Sequence, residues 1–193
     1  MKFIFYKMNK ARPIKYIRKV SDGKGGYRYY YKESDNRKPR RIDEATLNEF
    51  IKFIRSEKVE HGLCLNDKNE ILAYREGERN HIRFIERQVR NMKKAKLFIH
   101  NHTNGTSFSD DDLKFLILNQ IKEIQIFTKK NKTNIVYKLK VKKVIPVDKR
   151  IELFVYHKNL IKYAVDAEKE SHSIIKDLIK TYGEYLEYAR HRE

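Results

Sequence analysis

Apolar and polar positions alternate along this chain with two distinct periods, and the switches between them outline the fold. Leu47, Phe50, Ile51 and Ile54 recur at helical spacing within Ile42–Lys58, with acids in the first turn and bases later, as a helix dipole prefers. Val59, Leu63 and Leu65 then read as a strand, Asp67–Asn69 as a turn, and "EILAYREG" as the returning strand of a hairpin. Ile82, Ile85, Val89 and Met92 predict a second amphipathic helix over 81–95. "KLFIH" is short and apolar enough for a buried strand ending at His100. After "FIHNHTNGTSFSDDDL" (98–113), "DDDLKFLILNQ" predicts a helix and "IKEIQIFTK" a strand. In "IVYKLKVKKV", Val136, Lys138 and Lys140 alternate with Ile135, Tyr137, Leu139 and Val141, as in a sheet with one solvated face. From Lys158 to Arg190 the spacing is helical again, with a bend expected at the polar "DAEKESHS". The expected fold class is therefore α/β, a mixed β-sheet flanked by helices, with a long C-terminal helix.

Composition changes this picture at the N-terminus. The 193 residues carry a formal net charge of +18, and residues 1–41 hold 14 Lys or Arg against three acids. Three segments are expected: a basic, Tyr-rich arm (1–41), a central domain (42–155) and a C-terminal helical extension (156–193). Such an excess implies an acidic partner, with nucleic acid the commonest and an anionic membrane the next, or simply a solvated Lys-rich surface. In the arm, "SDGKGGYRYYYKES" has a Gly-rich turn at Asp22–Gly26 followed by tyrosines. Arg28, Tyr29, Tyr30, Arg40 and Arg41 could stack bases and pair phosphates, or Tyr27–Tyr31 could be an edge strand laid on the main domain. Cys64 is the single cysteine, which excludes an internal disulfide and a cysteine-based zinc knuckle. The apolar run in "MKFIFYKMNK" is too short for a signal-peptide core, and no stretch is long enough to span a membrane. A reducing cytoplasm is the expected location.

The candidate chemistry lies in residues 98–113. Residues i and i+2 of a strand point to one face, so His100 and His102 project together, with Asn101 turned away. Gly105 lets the chain reverse, and Asp112, at the start of the next helix, can swing a carboxylate back as a third ligand. Two His, one Asp and an open position is the donor set of a catalytic zinc, which lowers the pKa of water from about 15.7 to about 7. The same residues also fit a plain capping motif, in which Ser109 accepts from the N–H of Asp112 and the acids sit at the positive helix end.

Taken together, "HNH" (100–102) followed by Ser109-Asp-Asp-Asp112 resembles the signature of the JAB/MPN (JAMM) metalloprotease family. The resemblance covers residues 55–145 and implies a JAB/MPN-like sheet in which His100, His102 and Asp112 bind Zn2+. It further implies that Ser109 helps hold a tetrahedral intermediate and that an upstream glutamate is the general base. "KVEHGLCLNDKNEIL" resembles the strand-and-hairpin context of that glutamate in the RadC-like branch and related phage proteins. This context nominates Glu60, forty residues before His100, over Glu57, Glu70 and Glu76. The chain departs from the signature in having Thr103 where proline is usual. Six residues separate His102 from Ser109 where seven are typical. The implied function is a zinc-dependent hydrolase of a peptide or isopeptide bond in a peptide or protein substrate, of phage or mobile-element origin and located in a host cytoplasm or with a virion. Two other readings stand beside it: a catalytically silent JAB-fold module that binds nucleic acid through residues 1–41, and a phage toxin with RNase activity that uses His61, His81 or His157. The contiguous "HNH" lacks the spacing of HNH endonucleases.

Overall fold

The computed structural model describes residues 41–79, 81–93, 95–130 and 132–193, together with the backbone of 18–21 and 27–30; the side chains of 86–87 and 167–169 lie outside that description. Six strands form one mixed sheet in the order β4-β3-β5-β6-β7-β8: β3 (His61–Leu65), β4 (Ile71–Glu76), β5 (Leu97–His102), β6 (Glu123–Lys130), β7 (Thr133–Val141) and β8 (Leu186–Arg192). Only β5 and β6 run parallel, joined by the crossover helix α3 (Asp110–Leu118); the other neighbours are antiparallel. A mixed sheet flanked by helices is what the alternating periods predicted.

Each face of the sheet has its own core. Phe50 and Ile54 of α1 (Glu44–Ile54) bury against Leu63, Leu65, Ile99, Phe127 and Val136. On the opposite face, Cys64, Phe98, Ile124, Ile126, Tyr137 and Leu139 pack against α3 and against Leu153, Ile175 and Leu178 of the C-terminal helices. Because β3 and β5 are sandwiched between both cores, burial is nearly continuous along both strands, histidines included. Asp43 caps α1 by accepting from the Thr46 N–H at 2.8 Å.

Three expectations are corrected. The helix expected over 81–95 shrinks to α2 (Glu86–Met92); residues 81–85 form no regular element, and Ile85 just before the helix is extended. Gly77 lies so close to the His81 carbonyl that a Cβ there would sit 2.3 Å from it, and the Glu78 N–H bonds that same oxygen. From this turn Ile82 and Phe84 alternate inward with period two, leaving Ile85 exposed. The helix starts where the Gln88 side chain accepts from the Ile85 N–H and donates to the Tyr74 carbonyl.

The long C-terminal helix is instead two helices and a strand. α4 (Val147–Tyr163) starts before Lys158, the chain breaks at an extended Ala164, and α5 (Ala167–Tyr182) follows. The expected boundary at 155/156 falls inside α4. Gly183, where a Cβ would meet the Ile179 carbonyl at 2.7 Å, lets the chain turn tightly into β8. Residues 186–192, expected to be helical up to Arg190, pair with β7 at seven register positions. The third correction concerns the arm. Tyr27–Tyr30 (β2) pairs with Arg18–Ser21 (β1) in a separate two-stranded sheet, so it does not extend the edge of the six-stranded one. The expected Asp22–Gly26 turn and Arg40 lie outside the described residues.

Candidate metal centre

The site is built where β5 meets the loop leading to α3. Phe98, His100 and His102 share one face of β5, and Asn101 faces the other way. There the Asn101 side-chain Oδ1 accepts from the His61 N–H at 2.7 Å, and its Nδ2 donates to the Val59 carbonyl at 3.0 Å. That double contact pins the start of β3 against the end of β5. With Gly62 opposite His100 in register, Glu60 comes to the same side of the sheet as the two histidines. Gly62 leaves room for three neighbours: a Cβ would lie 2.9 Å from the side-chain ends of Ile82 and Phe98 and 3.0 Å from that of Phe84, so they would have to shift.

Past His102, Gly105 takes φ +80°, a region glycine enters without strain, and the chain doubles back. Ser109 then caps α3. Its hydroxyl accepts from the Asp112 N–H at 3.2 Å and donates to Asp112 Oδ2 at 2.6 Å, and its own N–H reaches the same oxygen at 2.8 Å. The capping motif and the convergent carboxylate are thus one structure: the cap holds Asp112 while its oxygens face the histidines.

Those oxygens lie 3.0 Å (Oδ1) from His100 Nε2 and 3.3 Å (Oδ2) from His102 Nε2, and the two Nε2 atoms are 3.0 Å apart. Donors about 2.0–2.2 Å from one tetrahedral ion stand roughly 3.3–3.6 Å from each other, so the triangle is near that size and slightly tight. All three residues are buried. His102 Nδ1 approaches the Thr106 carbonyl at 3.3 Å and its hydroxyl at 3.1 Å. A carbonyl only accepts, so Nδ1 is the donor, and in the neutral ring Nε2 keeps its lone pair for the site. The His100 ring stacks on Phe98 at 4.7 Å, and its buried Nδ1 has no hydrogen-bond partner. Two imidazoles and a carboxylate suit a divalent transition metal such as zinc or iron.

The charges support a cation here. Burial lowers the pKa of His100, more than Asp112 can offset. Burial also opposes charge on His102, but the carboxylates of Asp112 and Glu60 outweigh it and raise its pKa. Burial works against an ionised Asp112 too, yet the two imidazoles hold its carboxyl well below the usual range. A proton on His102 and a metal ion among the three donors are alternatives, because both neutralise the same carboxylate and use the same nitrogen.

A cavity of about 220 Å3 opens over these donors. Glu60 forms part of its wall; burial pushes the carboxyl up to about 7, with His102 drawing it down and Asp112 pushing it up. Phe84, Phe98 and Phe115 pack into an apolar flank, Phe84 stacked on Phe115 and edge-on to Phe98. The other glutamates stay away from the cavity. Glu57 lies 4.0 Å from His61 Nε2, Glu70 accepts from Asn66, and Glu76 pairs across from His61 at the end of β4. Of the three histidines weighed for RNase chemistry, His81 lines this cavity. His61 contacts Tyr74, and His157 sits beneath the loop beside Asp110. Arg41 is exposed, its backbone bridged to Glu70; Arg28, Tyr29 and Tyr30 lie in β2.

Residue patterns did not reveal Thr106, Phe98 or Gly62 as parts of the site. Only the spacing of Thr106 four residues after His102 hints at its contact. The fold and the site define an α/β protein with a buried group of two histidines and an aspartate that could hold a metal ion. No model of a known protein family matches the chain, and no curated protein matches it. No helix among the described residues is long and apolar enough to cross a membrane.

Proposed function

We propose that this chain is a zinc-dependent hydrolase of JAB/MPN type that cleaves a peptide or isopeptide bond. One observation carries the reading: three donors with the separations of a metal triad share a cavity with a glutamate whose carboxyl is raised to about 7. His100, His102 and Asp112 would hold the ion, whose chemistry there is to polarise a carbonyl oxygen and acidify water.

The chain's own residues supply the rest. Glu60 takes the proton from the attacking water as its oxygen bonds to the carbonyl carbon, and returns it to the nitrogen as the C–N bond breaks. One acid and one amine leave, and the carboxylate is restored. A carboxylate within reach of both the water and the leaving nitrogen can do both. Ser109 acts through Asp112, since its hydroxyl hydrogen is already given to that carboxylate at 2.6 Å. The intermediate-holding role implied by the family resemblance would require that hydrogen to leave Asp112. The phenylalanine flank excludes water from one side of the cavity, which strengthens every charge interaction within it.

The test is a peptide and isopeptide library digested by the zinc-loaded full chain and by Glu60→Gln. The reading predicts cleavage by the parent, a loss of at least about 100-fold in the variant, and equal zinc content in both. Equal turnover in the two proteins would remove Glu60 from the chemistry. No cleavage of any peptide or isopeptide by the zinc-loaded parent would refute the hydrolase reading.

A further inference from the structure

A second cavity, of about 250 Å3, lies on the other side of the metal-site loop, between residues 104–110 and the helices α4 and α5. Asn104, Thr106 and Ser109 line both cavities, so the two open on either side of a shared ridge. We propose that this cleft is a substrate subsite that takes one apolar side chain, of leucine to phenylalanine size, next to the bond cleaved at the metal centre. The inference rests on the hydrolase reading for its place in the reaction, but the ligand class follows from the cleft itself.

Most polar groups around the cleft are already engaged, and His157 Nε2, which lacks a hydrogen-bond partner, is buried out of a ligand's reach. Ser171 Oγ accepts from the Ser107 N–H at 2.9 Å, and Ser107 Oγ meets the Tyr188 hydroxyl at 3.3 Å. Thr106 donates to the Asn104 side chain at 2.7 Å, and Ser109 is bound to Asp112. Asp110 is held at the cleft's edge by an ion pair with Lys114 and faces His157 Nδ1 at 3.4 Å. His157 is fully buried, and burial lowers its pKa, so it brings no charge. What remains for a ligand is the hydrocarbon of Phe108, Ile161 and Ile174.

A charged or amide side chain entering here would leave its water shell and find few free partners, whereas an apolar one loses nothing polar. The volume falls below the roughly 300 Å3 at which drug-sized pockets begin, so it suits a single side chain. Two of the apolar walls come from α4 and α5, beyond residues 55–145. The C-terminal helices thereby acquire a role in choosing substrate.

The test reads binding, not turnover. In the full chain with isoleucine δ-methyls labelled, acetyl-leucine amide and acetyl-lysine amide are titrated by methyl NMR. Leucine amide is expected to shift the Ile161 and Ile174 methyls and to bind at least about tenfold more tightly than lysine amide. Ile161 is partly exposed at the cleft, so Ile161→Phe fills it without burying new volume in the core. That variant should weaken the leucine amide at least about tenfold, while Ile161→Ala should turn the preference toward acetyl-phenylalanine amide. Equal affinity for leucine and lysine amides, or leucine binding untouched by Ile161→Phe, would overturn the subsite. Glu60→Gln is expected to bind the amide as the parent does. Selective binding without hydrolysis would therefore sink the hydrolase reading alone, and hydrolysis with flat binding would sink the subsite alone.

Discussion

Replacing Ser109 by alanine removes one hydroxyl that serves two partners, and the two effects can be measured separately. The first is helix capping. The hydroxyl accepts from the Asp112 N–H at 3.2 Å, and losing such a cap costs about 0.5–2 kcal/mol. The second is its donation to Asp112 Oδ2 at 2.6 Å, a hydrogen bond to a charged group worth roughly 1.5–3 kcal/mol when no substitute is at hand. Substitutes exist here: the Ser109 N–H stays on the same oxygen at 2.8 Å, and residue 109 is exposed enough for water. The sum should therefore fall near the low end, about 1–2 kcal/mol, or a drop of about 2–8 °C in melting temperature for a chain of this size. Zinc affinity should fall by about 10–100-fold, the usual effect of losing a residue that orients a ligand. Turnover at saturating zinc should stay within a few-fold of the parent. The assay is a competitive zinc titration of both proteins, followed by peptide hydrolysis with excess metal. A fall of about 100-fold or more in turnover at saturating zinc, with affinity unchanged, would refute this assignment, because that is the signature of a donor to the reacting oxygen.

Two further perturbations probe the scaffold. Burial pushes His61 down to about 4, so the unfolded chain binds a proton that the folded one refuses. The stability it confers is complete above about pH 6.5 and is lost as pH falls toward 4, up to about 3 kcal/mol. Glu60, raised to about 7, acts in the opposite sense, with stability falling as pH rises from about 4.5 to 7, so only a difference between proteins isolates His61. The stability gap between the parent and His61→Phe, from urea melts, should move by about 3 kcal/mol in favour of the variant between pH 7 and pH 4; parallel curves would contradict the buried neutral imidazole. Gly62→Ala forces a methyl against Ile82, Phe98 and Phe84, and should cost about 1–3 kcal/mol by thermal melt. It should also weaken zinc binding by displacing Phe98, on which His100 stacks; a variant as stable as the parent would show that the three side chains yield freely.

The central part of the site was legible because it is local. Alternation put His100 and His102 on one face, Gly105 marked the reversal, and Ser109 with Asp112 marked the helix start, all within thirteen residues. Glu60 was reached only through resemblance, since its approach depends on the register of β3 against β5, which residue patterns leave open. The order of elements from Asp43 to Val141 was also readable, apart from residues 81–85, where a segment with no regular element carries apolar residues at spacings that also suit a helix. The start of α4 was hidden because its exposed face carries Val147, Ile151 and Val155 while its buried face carries Leu153 and His157, so no apolar stripe stands out. β8 was hidden for a different reason. Tyr182 and Leu186 continue a helical spacing, and only the pairing with β7 decides for a strand.

The most direct measurement is zinc stoichiometry of the full chain, read by competition with a chromophoric chelator beside His100→Ala and Asp112→Ala. The account predicts one zinc per parent chain and a loss of at least about 100-fold in affinity when either ligand is removed, because a tetrahedral site that forfeits one of three protein donors cannot hold its ion. Less than a tenth of an equivalent on the parent, or equal binding by the parent and both variants, would contradict a metal centre at His100, His102 and Asp112.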